Sequence, residues 1–418
     1  MSMTWSAITP SLEQLPDLQH LPTAARRFFE KNRVASANFK RMAPQRSEWI
    51  GNHTFRPKAV ACSDGRMNDF WLAIDTYAGI LEMRRTVGGI LDPSDYAYNL
   101  EGWQGVERAE RTEVNGMTQA KAIMQFLTVH YSHSNPLSGC LKRKNQTQSG
   151  LEDAQRNTAY LHEAYPGSVV ALPILVDTDL DAIVVVGPKG RLGTRELLDD
   201  SRMEGGNGYA HVVDLLRKII PTNWEPLTRL SSPFRVRFHE ELAERVVGNL
   251  AFVRSVIKSK RPIETAEHKE QIILVGRHAD WITETNTAFL IDDRETKEQL
   301  FESFEIGLLC CAKTAILEAI KAGDREWCIP VIVNIPHDGE KDEPVSKAYV
   351  RRLVQLRLSE KLRRSAPSIL ARIMSKEDGL GNTKLPGWLQ TSLATFVDRV
   401  VFIMSVSRRD RRLFVPFA

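Results

Sequence analysis

The sequence predicts an α/β protein: a mostly parallel sheet flanked by helices, followed by a degenerate second copy of the same plan. Three observations carry this reading. Short, almost continuously apolar runs alternate with longer helical stretches, as strands buried on both faces do. The runs stop at Gly, Asp or Asn, where a buried strand gives way to a loop. The same order then recurs more loosely after a Pro-containing link near Pro221 to Pro233. Order, and not residue identity, supports the repeat, so two unrelated α/β domains are the alternative.

Taken in order, residues 1–50 are polar and Pro-dotted, with a helical candidate from Thr23 to Asn32 and a basic run before Trp49. They read as an extension wrapped on the body. Ala59-Val60-Ala61-Cys62 is a buried strand that stops at Ser63-Asp64-Gly65, and a helix-like stretch from Met67 to Ile80 follows. A strand-like segment runs from Met83 into Gly88-Gly89; a long helical pattern starts near Thr118, and Phe126 to His130 forms the next buried strand. A polar insertion covers about 141–158, and Val169 to Val176 and Ala182 to Val186 supply two more strands. In the second half, Glu270 to Gly276, Ile329 to Asn334 and Val400 to Val406 are strands, and Lys297 to Ala322 is a helix. The expected division is 1–50 as an N-terminal helical extension, 51–225 as a metal-binding catalytic domain, and 226–418 as a metal-free repeat.

At 418 residues the chain exceeds one compact core and suits two or three domains. Its 56 basic and 52 acidic side chains leave a net charge of +4, too weak a field to imply nucleic-acid binding. A small or neutral substrate fits better. The N-terminal residues show no basic segment followed by an apolar one, and no apolar run is long enough to span a bilayer. The five cysteines, at 62, 140, 310, 311 and 328, are odd in number and two are adjacent. That argues against a disulfide framework and for a reducing, cytoplasmic setting.

Cys62-Ser63-Asp64-Gly65-Arg66 is the most informative segment. In extended chain, residues at i, i+2 and i+4 share a side, so Cys62, Asp64 and Arg66 can converge at a strand end. A buried structural Cys beside an ordinary Asp–Arg pair is the plainer account. The second strand shifts the balance, because it ends in His130, and a Pro-containing loop then leads to Gly139-Cys140. Two thiolates and one imidazole suit Zn²⁺, and three protein ligands with an open fourth position mark a catalytic site. His133 competes with His130 as ligand, and is also a candidate proton shuttle or a surface loop residue.

These residues resemble the β-class carbonic anhydrases. Cys62-Ser63-Asp64-Gly65-Arg66, Arg84-Arg85 ahead of Gly88-Gly89, Val129-His130-Tyr131-Ser132 with Ser138-Gly139-Cys140, and Asp177 to Ile183 are similar to the carboxysomal branch in particular, although fewer residues precede the motif here. The resemblance spans about 55–190. It implies a β-carbonic-anhydrase-like fold and one Zn²⁺ per chain on Cys62, His130 and Cys140. It further implies reversible hydration of carbon dioxide to bicarbonate by zinc-bound hydroxide, oriented by the catalytic pair Asp64 and Arg66. A second fold without ligands is also implied, with Gly276 and Asn334 at its strand ends. So are a homodimer or larger homo-oligomer and association with a carboxysome shell or Rubisco. Hydrolysis of carbon disulfide or carbonyl sulfide, or a zinc-stabilised scaffold of low activity, are the competing functions.

Four features remain open. Gly88 and Gly89 either let backbone approach the site or make a turn. Asp177, Asp179 and Asp181 form either a hard-cation site or a solvated strand end, the latter being the better account. Cys310, Cys311 and Cys328 read as ordinary thiols. Arg408, Arg409, Arg411 and Arg412 either bind an anionic partner or form a solvated face.

Overall fold

The computed structural model describes residues 18–67, 80–91, 111–114, 117–120, 122–135, 139–143, 146–204, 207–259, 269–276, 288–293, 295–337, 339–375, 380, 386–408 and 414–417. Two α/β sheets flanked by helices organise the chain. The first has strands β1 (Phe55–Cys62), β2 (Glu82–Thr86), β5 (Ala122–Tyr131), β6 (Val169–Asp177), β7 (Ala182–Gly187) and β8 (Gly190–Gly193), in the order β2-β1-β5-β6-β7-β8. Its first four strands are parallel, and β7 and β8 are antiparallel, so the sheet is mixed. A separate hairpin joins β3 (Arg111–Val114) to β4 (Met117–Ala120).

The second sheet has β9 (Ile272–Gly276), β10 (Ala288–Ile291), β11 (Ile329–His337), β12 (Val400–Arg408) and β13 (Phe414–Phe417), in the order β10-β9-β11-β12-β13. Four strands are again parallel, and β13 is again antiparallel. The two sheets therefore share strand order and direction over five strands. This is the repeat that the order of apolar runs predicts.

Alternation along each strand explains why both faces need cover. On β1, Ala59 and Ala61 face a core that includes Phe238, Leu242 and Val246 of the helix Ser232–Lys258, while Val60 faces Leu151, Ala154 and Leu161 of the helix Thr147–Ala164. On β9, Ile273 and Val275 face Phe304 and Leu308 of the helix Lys297–Ala322, while Ile272 and Leu274 face Phe28 and Phe29 of the helix Thr23–Arg41. Each such Phe or Leu contributes about 1.5–3 kcal/mol on burial. The N-terminal helix is longer than the expected Thr23 to Asn32 and serves the second sheet.

Four expectations change. The helical pattern near Thr118 is instead β4 and the start of β5, because the apolar residues Ile123 and Met124 serve opposite faces of one strand. The polar insertion at 141–158 contains the helix Thr147–Ala164, whose buried residues at 151, 154, 158 and 161 form a single stripe within a polar composition. The first core runs past residue 225 to include the helix Ser232–Lys258, whose buried Glu241 also accepts the amides of Thr54 and Phe55 at 2.6 and 3.1 Å. The Asp177 ladder is not a solvated strand end, since Asp177 and Asp179 are buried. The expected helix from Met67 to Ile80 and the cluster residues Arg409, Arg411 and Arg412 lie outside the described residues; Arg408 ends β12. Among the described residues, no helix is long and apolar enough to cross a membrane.

Candidate metal centre

Strand order places the centre. From β1 the chain moves outward to β2, then returns to the other side of β1 as β5. In open α/β sheets, ligands bind at the carboxyl ends of strands where the order reverses. Cys62 is the last residue of β1 and His130 lies one residue from the end of β5. The loop after β5 brings Cys140 to the same point.

The ligand atoms of Cys62, His130 and Cys140 all lie within 4.8 Å of one another, and all three residues are buried. Among the described residues this is the one group of three or more His, Cys, Asp or Glu side chains so arranged. Both ring nitrogens of His130 are buried with no hydrogen-bond partner, a costly state for a polar group. A cation between the three side chains would satisfy one of them. The two thiols also interact: their hydrogen bond lowers Cys140 and raises Cys62, with burial adding to the rise. Removing the second proton from such a pair needs a positive charge, which a bound dication supplies. The residues fit a metal ion.

Asp64 and Arg66 complete the pocket. Both are buried, and Arg66 donates from Nε to Asp64 Oδ1 at 2.9 Å and from Nη2 to Oδ2 at 2.5 Å. The Arg66 amide also donates to Asp64 Oδ1, at 2.9 Å. Burial opposes the charge on Arg66, but the Asp64 carboxylate outweighs it and holds the guanidinium above its ordinary range. Asp64 Oδ2 lies 3.8 Å from His130 Nε2. The carboxylate thus borders the ligand group while Arg66 occupies both of its oxygens.

The shell around the ligands is mostly backbone. The Gly88 amide donates to Cys62 Sγ at 3.4 Å, from a left-handed conformation with φ of 78°. A side chain on Gly89 (φ 64°) would put its Cβ 2.7 Å from the Thr128 carbonyl oxygen. Turn and close approach, offered as alternatives by the sequence, are therefore both present. Arg85 Nη1 donates to the Cys62 carbonyl at 3.0 Å, and Arg66 Nη2 to the Gly139 carbonyl at 3.4 Å.

The loop from His130 to Cys140 is clamped by the Asp177 ladder. Asp177 accepts the His133 amide at 3.3 Å, and Asp179 accepts Ser132 Oγ at 2.7 Å and the Ser134 amide at 2.6 Å. Burial raises Asp177; in Asp179 the bonds from Ser132 and Ser134 outweigh burial and lower it. The His133 side chain is exposed, and the ligand group takes in His130 instead. Ser138 lies outside the described residues. Cys310 and Cys311 are buried in the helix Lys297–Ala322, burial raising Cys311 well above the usual thiol range, and Cys328 is half-buried and raised for the same reason.

One participant was not legible. Glu270, at the entry to β9, is buried and accepts the Gly65 amide on Oε1 at 3.1 Å. A lone Glu ahead of an apolar run carries no signal of such a role. No known protein family and no curated protein matches the chain.

Proposed function

We propose that the chain is a zinc carbonic anhydrase of the β class, nearest the carboxysomal branch, which hydrates carbon dioxide reversibly to bicarbonate and a proton. The observation that carries this reading is the buried Cys62–His130–Cys140 group with the Asp64–Arg66 pair at its edge. Two thiolates and an imidazole are the donor set that Zn²⁺ prefers. When bound, the metal supplies Lewis acidity that brings the pKa of a water into the physiological range.

The chain's own residues do the rest. Asp64 Oδ2, bordering His130, is an acceptor for the proton of the attacking water and so fixes where its lone pair points. Arg66 keeps Asp64 ionised and, by holding both carboxylate oxygens, keeps it from becoming a fourth ligand. The Gly88 amide stabilises negative charge on Cys62 Sγ. Retention of such a pair distinguishes this reading from a metal-stabilised scaffold, which has no use for it.

Stopped-flow measurement of carbon dioxide hydration by the wild-type chain and Asp64→Ala tests the proposal. Loss of about 10²–10⁴-fold in kcat, with the metal retained, is expected. Unchanged turnover would refute the role of Asp64. Absence of carbon dioxide turnover alongside release of sulfide from carbonyl sulfide would transfer the site to the sulfur-analogue hydrolases.

A further inference from the structure

Three described segments that shape the candidate metal centre are fastened to the second half of the chain. On the Cys62–Arg66 segment, the alternate residues Cys62, Asp64 and Arg66 serve the pocket, while the two between them turn to the other half: the Ser63 carbonyl accepts the Leu290 amide at 2.9 Å and the Gly65 amide donates to Glu270 at 3.1 Å. The fit is tight, because a Cβ on Gly65 would lie 2.6 Å from the Ala288 carbonyl oxygen. On the second loop, Val87 belongs to the core of the second sheet, one residue before the Gly88 amide that bonds Cys62 Sγ. The Asp292 amide reaches the Arg85 carbonyl at 3.3 Å. On the third, Lys142, two residues past Cys140, pairs with Glu302 of the helix Lys297–Ala322.

We infer that the second half is a built-in wall of the candidate metal centre, and that Glu270 is its main positioning residue, holding the Cys62–Arg66 loop in the shape that presents Cys62 and Asp64. The inference rests on the metal reading above. Physically, a loop of five residues has many conformers, and the two bonds that Leu290 and Glu270 make to its backbone, at Ser63 and Gly65, select one before any metal arrives, while Asp292 fixes the neighbouring strand at Arg85. Such preorganisation by outer partners accounts for about 10–100-fold in metal affinity. The strands of the second half therefore have a task although, among the described residues, they gather no metal-ligating group like that of the first half.

Two readouts on the full chain test this with Glu270→Ala and Glu270→Gln. The first is the rate at which bound zinc passes to a chromogenic chelator. The second is the rate at which iodoacetamide labels Cys62 and Cys140 in metal-depleted protein, read by peptide mass spectrometry. Glu270→Ala is expected to speed both by at least about tenfold. Glu270→Gln, which keeps an acceptor oxygen for the Gly65 amide, is expected to stay within about threefold of wild type, as an outer-shell effect that depends on the retained bond. Unchanged release and labelling in a folded Glu270→Ala chain would overturn the inference while leaving the metal reading intact. Faster labelling in a chain whose wild type binds no zinc would instead remove the metal reading and keep the brace. Should Glu270→Ala fail to fold, hydrogen exchange of the wild type decides: the Gly65 and Leu290 amides are expected to exchange as slowly as those inside β1, and exchange at the rate of an exposed loop overturns the proposal.

Discussion

The two halves of this chain share a strand order and differ at the crevice that the order creates. In the first, the ends of β1 and β5 carry Cys62 and His130, and the crevice holds a ligand group. In the second, the last residue of β9 is Gly276, with Asn334 across from it on β11. Asn334 donates to Ser407 Oγ at 3.0 Å and accepts from Ser405 Oγ at 2.9 Å, all three being buried. Gly276 has φ of 153°, and a Cβ there would lie 2.0 Å from the Asn334 carbonyl oxygen. The same topology thus ends once in a Cys–His–Cys group that could hold a metal ion and once in a closed polar network. Asn334 is not the strand end that the sequence suggests, since β11 runs on to His337. A fold supplies the place, and the residues at or near two strand ends decide its chemistry.

The comparison breaks most easily at the first crevice. Cys62→Ser is expected to abolish both stoichiometric zinc, measured by elemental analysis, and carbon dioxide turnover, since a hydroxyl is a poor replacement for a thiolate ligand. Retained zinc in that variant would mean that the metal, if any, is held elsewhere. Next in size, Gly276→Ala in the second half is expected to cost about 3 kcal/mol or more in denaturant unfolding, because backbone on backbone cannot yield as a flexible side chain can. A neutral result would show that β9 and β11 can separate, and that the second crevice is less closed than its geometry implies.

The smallest effect separates the halves by pH. His162, in the helix Thr147–Ala164, accepts the Ala171 amide on Nε2 at 2.9 Å, and burial pushes it down to about 4. A histidine depressed in the folded state stabilises above its unfolded value and loses that contribution as pH falls towards the folded one. Stability of the first half should therefore fall between about pH 6.5 and pH 4, by about 2 kcal/mol at pH 5. Chemical denaturation across that window is expected to show a shallower acid dependence for His162→Gln, whose amide oxygen can still accept the Ala171 bond. Equal acid dependence in the two proteins would assign the loss to other groups.

Much of this was legible because it is local. Cys62 closes β1 as the apolar run implies, although Asp64 and Arg66 reach the pocket from the turn that follows, where the Met67 amide bonds the Asp64 carbonyl at 3.1 Å, and not from extended chain. The helix Lys297–Ala322 has the expected bounds because Thr296 and Gln299 form a capping box at its start and Gly323 closes it in the left-handed region. The helix Thr147–Ala164 was hidden because its polar residues outnumber a narrow apolar stripe. The Asp177 ladder read as solvent-facing because acidic residues usually are, whereas its carboxylates are spent on amides of a loop more than forty residues earlier.

By itself, then, the sequence determined the alternation of strands and helices, the repeat of their order and the three residues that gather as a possible metal-ligand group, since period, strand-end chemistry and ligand type are written in neighbouring residues. Only the tertiary structure decided that the N-terminal helix covers the second sheet, that the helix Ser232–Lys258 belongs to the first core, and that Glu270 and Leu290 hold the loop beside Cys62. Those contacts join residues about two hundred positions apart, and their partners are chosen by which surfaces meet once both sheets have formed.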